Sequence, residues 1–287
     1  MPAYETPDPI HVIVELALGD LRVSASDRTD TVVRLQPKNP GSKADCDAAA
    51  GARVEFAGGT LGVKTFTPGL IDSMFGRIGG VDVLVELPAG STVDAVIHGL
   101  LRCEGRLGDC RLESAYGDVA ADETGRLRAR AGYGDIAVGR IAGKADLDAG
   151  YGTIHAGSIA GPAVIKNTSG DTSVDLVEDD LRVNTASGDI TIGRALNNVT
   201  VKTANGHVRV DEVVSGVVQL ETAHGSIDVG VRRGSATWLD IDSTYGAVRM
   251  EMDPRTITQA EDAVEVRART GYGDIHIHRS DKELPHG

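Results

Sequence analysis

From residue 110 onward, apolar positions alternate with polar ones on either side of a short glycine-centred phrase. Two and four residues after the glycine stand pairs such as Ile136 with Val138, Ile190 with Ile192 and Val208 with Val210. Seven and five residues before it stand Leu181 with Val183, Val199 with Val201 and Val218 with Leu220. Alternation with period two describes a strand with one buried face, so each phrase joins two strands by a tight turn. A further apolar column, seven residues after the glycine, comprises Ile141, Ile159, Val177, Ala195 and Val213 and predicts a short third side.

The phrase occurs nine times, with its glycine at Gly117, Gly134, Gly152, Gly170, Gly188, Gly206, Gly225, Gly246 and Gly273, at spacings by subtraction of 17, 18, 18, 18, 18, 19, 21 and 27. A turn between two strands commonly needs positive φ, which glycine adopts without steric cost. Enrichment in Val and Ile and the rhythm of turns disfavour a helical repeat. A unit of this kind cannot bury its apolar face alone and must stack on copies of itself. The pattern therefore predicts an all-β fold, a single-stranded parallel β-solenoid of about 18 residues per coil, the coils ~4.8 Å apart. An apolar residue at every sixth position, as a hexapeptide helix requires, is missing, and handedness stays open.

Residues 1–100 read as an N-terminal β segment capping the stack, 101–280 as a solenoid of about nine coils and 281–287 as a polar tail, since open solenoid ends need covering. Strand-like runs include Ile10–Leu16, Asp20–Ser26 and Val83–Pro88. The apolar run Phe66–Phe75 reads as a loop docked on the cap or an exposed partner patch.

Net charge of −13 disfavours nucleic acid and anionic membrane surfaces as partners. No run is long and apolar enough for a membrane span, and the first residues lack the pattern of a secretory signal. Cys46, Cys103 and Cys110 are odd in number and lack CxxC spacing, which points to reduced thiols and a cytoplasmic setting.

Five of the six tyrosines fill one slot, immediately before the turn glycine: Tyr116, Tyr133, Tyr151, Tyr245 and Tyr272. Rings in such a row either stack for stability or present a binding edge with a polar handle, and Tyr116, Tyr133 and Tyr151 are the candidate partner-binding residues. After the glycine come Asp118, Asp135, Asp171, Asp189 and Asp274. Their period is twice that of the calcium-binding β-roll, so they read as turn residues capping nearby backbone N–H groups. His276 and His278 share a strand face, an arrangement that can chelate zinc if a third ligand approaches, but with Ile277 pointing inward both face solvent and read as a solvated surface pair. No catalytic residue, cofactor or metal is expected.

The nine phrases, with Val83–Ser91 and the opening Gly19–Val23, resemble the bacterial family of unknown function called putative adhesins, itself similar to the toastrack-type domains of envelope-stress membrane proteins. The run Arg102–Arg111 looks like the actinobacterial members. The resemblance implies a β-solenoid with a binding or scaffolding role, linked to cell-envelope stress, and carries over no catalytic residue. A non-enzymatic scaffold with an unidentified protein partner is the leading expectation. The alternatives are a self-assembling bactofilin-like cytoskeletal solenoid and a polysaccharide-active β-helix enzyme.

Overall fold

Period-two alternation becomes strands stacked in parallel register in the computed structural model, which describes residues 2–65, 79–252 and 263–280. The apolar run 66–75 and the polar tail 281–287 lie outside the described residues. The chain forms two units, Met1–Ala142 with Leu147–Gly150, and Gly143–Asp146 with Tyr151–Gly287.

In the first unit, strands Cys110–Tyr116 and Leu127–Tyr133 pair in parallel, as do Val119–Thr124 and Ile136–Ile141. The same pairing reaches far toward the N-terminus. His11–Glu15 lies between Thr60–Lys64 and Thr92–Ile97, and Leu21–Ser26 between Val81–Pro88 and Leu101–Arg106, all parallel. Within residues 1–100, expected as a cap, three stretches are thus coils in their own right. The covering part is antiparallel: Arg53–Ala57 on Thr60–Lys64, Asp30–Pro37 on Val81–Pro88, and Ala3–Glu5 on Asp30–Pro37. Helix Lys43–Gly51, capped by the Ser42 hydroxyl, packs beside them.

In the second unit, one sheet holds Ile154–Ile159, Thr172–Val177, Ile190–Ala195, Val208–Val213 and Ile227–Val231 in sequence order. The facing sheet holds Ala163–Ser169, Leu181–Ser187, Val199–Asn205 and Gly216–His224. Beyond these the order reverses. Ala263–Tyr272 pairs with Gly216–His224, and Ala236–Tyr245 lies outside it; likewise Ile275–Arg279 separates Ile227–Val231 from Val248–Glu251.

The columns read from the sequence form the core. Ile190 lies opposite Thr172 and Val208, and Ile192 opposite Val174 and Val210, all buried. Burying a side chain of this size stabilises by about 1.5–3 kcal/mol, and a slip of one residue would turn every column to solvent. The expected third side is the bent end of the second strand: after Ile190 and Ile192, two partly exposed residues intervene before Ala195 turns inward.

Eight of the nine turn glycines have φ between 130° and 150°. At Gly188 a Cβ would also collide with the carbonyl of Gly170 one coil below. Gly246 departs from the expectation, since its φ is not positive. Glycine is required there because a side chain would strike the Gly273 carbonyl.

Candidate functional site

Strand Leu127–Tyr133 buries Leu127, Ala129 and Ala131 and then frees its last residues at the turn, which leaves Tyr133 55% exposed. Tyr116 is its register partner and is 63% exposed. Their rings stack at 5.4 Å with 4° between planes, and His98 continues the row at 6.5 Å from Tyr116. Offset stacking at these distances is the favourable geometry for aromatic pairs. Tyr151 occupies the same slot, 54% exposed, within the second unit.

A second row escapes the sequence reading. His224 and Tyr272 stack at 5.0 Å, and Tyr272 and Tyr245 at 4.8 Å. The three share the slot before the glycine, which was legible, but their contiguity depends on the reversed order of the last coils. Between Tyr151 and His224 the slot holds Ser169, Ser187 and Asn205, so the second unit carries no continuous aromatic strip there.

The turn aspartates act as caps, on the next coil instead of their own. Asp118 accepts the Asp135 N–H at 2.9 Å, Asp171 that of Asp189 at 2.8 Å, and Asp274 that of Ala247 at 2.8 Å. One oxygen of each is thus engaged by a backbone donor. His207 continues the series, its Nδ1 accepting the Ser226 N–H at 3.0 Å.

A shallow depression lies among Lys202, Glu221, Asp242 and Arg269. Glu221 is paired with Lys202 at 2.9 Å, and this bond, with one from Gln219, holds its carboxyl below the usual carboxylate range. A general acid for glycoside cleavage needs the opposite shift.

His276 and His278 do face outward beside buried Ile275 and Ile277, but neither is fully solvated. Asp228 on the neighbouring strand supplies the third ligand that the sequence could not place, within 4.8 Å of both imidazoles.

All three thiols are unpaired. Burial raises Cys103 well above the usual thiol range and pushes Cys110 up to about 12.

No helix among the described residues is long and apolar enough to cross a membrane. No curated protein matches the chain. Among solved structures it is similar to a putative adhesin from Parabacteroides merdae, at 11% identity and TM-score 0.42, covering 79% of this chain and 93% of that one. A putative adhesin from Bacteroides fragilis has 11% identity and TM-score 0.37, with 96% and 95% covered. A putative lipid binding protein from Parabacteroides distasonis has 12% identity and TM-score 0.33, with 95% of each chain covered. Residues 164–284 match the family described as Toastrack DUF4097, which bears out the resemblance to the putative-adhesin family carried by the repeated turn phrases.

Proposed function

We propose that the chain is a non-enzymatic binding or scaffold protein, and that the exposed tyrosine slot is where it meets a protein partner. One observation carries this reading: the Tyr116 and Tyr133 rings stand parallel, stacked and more than half exposed. Rigid aromatic faces with a hydroxyl at the tip provide contact area at low entropic cost, which is why tyrosine is enriched at interface hot spots. Tyr151, in the second unit, is a candidate in its own right. A cytoplasmic setting belongs to the same reading, supported by the three unpaired thiols, and so does a role in envelope stress, supported by the Toastrack match.

The test is affinity capture from the native host with the wild type and Tyr133→Ala in parallel. A protein retained by the wild type and lost with the variant supports the reading. Identical captured sets would reduce the row to a stability ladder.

Self-association of the bactofilin kind is a second reading, favoured by the end coil. Among the described residues, Ala236–Tyr245 and Val248–Glu251 are edge strands of the two sheets, with Trp238 on the first and Val248 and Met250 on the second 57%, 42% and 59% exposed. An exposed apolar strand edge is a template for pairing. Molar mass measured across a concentration series separates this from the first reading.

A further inference from the structure

We propose that Asp228, His276 and His278 form a binding site for one divalent transition-metal ion of the zinc class. The site is built by strand alternation and coil order. Ile275 and Ile277 point into the core, so His276 and His278 project together from the outer face, their ring centroids 5.0 Å apart. Asp228 is the register partner of His276 on the adjacent strand. The neighbour of His278 on that strand is Gly230, and the ring's Cε1 lies 3.3 Å from where a Cβ on Gly230 would stand. The missing side chain is what lets the imidazole lie close against that strand.

The hydrogen bond of the His278 ring assigns its ligating nitrogen. His278 Nδ1 lies 3.0 Å from the Arg279 carbonyl oxygen, which can only accept, so Nδ1 carries the hydrogen. Its Nε2 therefore turns a lone pair toward Asp228 Oδ1, 3.5 Å away. Two acceptors facing each other repel unless a cation lies between them. On the other ring, His276 Nε2 is shielded from solvent without a hydrogen-bond partner, with the Glu251 carboxylate 3.6 Å away. His276 Nδ1 donates to the same Asp228 Oδ1 at 3.0 Å, and a bound ion would take the place of that hydrogen. Metal-ligating histidines commonly turn their other N–H to a carboxylate or a backbone carbonyl, as His278 does to the Arg279 carbonyl.

The spacing fits a small ion. Tetrahedral bonds of 2.0–2.1 Å place neighbouring ligand atoms about 3.3 Å apart. The two observed nitrogen-to-oxygen separations, 3.0 and 3.5 Å, fall on either side of that value. One ion at this position would contact all three groups at once. Two imidazoles and a carboxylate suit zinc, nickel or copper over magnesium or calcium, and three protein ligands leave a fourth position for water or a partner's side chain.

The experiment is calorimetric titration of ZnCl₂ into the full chain, prepared without a polyhistidine tag and stripped with chelator. One equivalent should bind with a dissociation constant in the micromolar range or below, and the melting temperature should rise with free zinc, as a ligand of the native state requires. Asp228→Asn and His278→Ala should each weaken binding at least tenfold. Both side chains face outward, so an unchanged circular dichroism spectrum is expected, and low-coordinate Co²⁺ absorption present in the wild type and lost in Asp228→Asn provides an independent readout. No stoichiometric binding by the wild type, or equal affinity in both variants, would overturn the proposal and leave the cluster as a hydrogen-bonded carboxylate and imidazole pair.

Discussion

The Oδ1 atom of Asp189 accepts the backbone N–H of His207 at 2.8 Å, the two residues occupying the same position in successive coils. Asp171 does the same for Asp189, so each turn carboxylate ties its own coil to the next. The N–H groups at the corners point along the stack, where no strand neighbour receives them, and a short carboxylate is the side chain that reaches. Because the bond is exposed, Asp189→Ala should lower stability by about 0.5–1.5 kcal/mol. Asp189→Asn keeps an acceptor and should recover most of the loss. Urea denaturation midpoints of the two variants check this, and equal midpoints would refute the capping role.

Ile190 is buried between Thr172 and Val208 in a column shared by successive coils. Ile190→Asp should therefore destabilise by more than about 3 kcal/mol, since an unpaired carboxylate there has no route to water. Coils on both sides should loosen together, visible as lost hydrogen-exchange protection in strands Thr172–Val177 and Val208–Val213. An unchanged denaturation midpoint would refute the column.

Burial holds Cys103 and Cys110 as neutral thiols, with Cys110 raised to about 12, while Cys46 is exposed. A disulfide-exchange reagent at pH 8 should therefore label one thiol in the native protein and three after denaturation, since the thiolate is the reactive form. The linkage has a sign. The folded state keeps thiol protons that the unfolded chain releases above about pH 8.5, so stability should fall as pH rises from there toward 12. Rapid native labelling of all three thiols would contradict this.

Much of the fold was legible in the sequence because a strand with one buried face writes its period directly, as Leu181, Val183, Ile190 and Ile192 do. The coil order was not. Ile275 lies between Ile227 and Val248, although Val248 comes first in the chain, and nothing in the phrases around Gly225, Gly246 and Gly273 says which stacks on which. Lengthened spacing between them was the only trace. That inversion also hid the metal ligands. His276 lies 48 residues from Asp228, and in sequential stacking the strand Val248–Glu251 would have come between them. The tyrosine slot was readable, but the stack of Tyr272 on His224 depends on the same unreadable order.

The central functional claim is that the outward tyrosine row recognises a partner, and the most direct measurement is the dissociation constant of the captured partner for the wild type and for Tyr133→Ala. Tyr133 stacks on Tyr116 and is 55% exposed, so its removal should cost the fold up to about 1.5 kcal/mol through lost stacking. If the row is a binding edge, affinity should fall by about 1–3 kcal/mol, roughly 5- to 150-fold, with the circular dichroism spectrum unchanged. Equal dissociation constants for the two proteins would contradict the claim and leave the tyrosines as a ladder that only stabilises the turns.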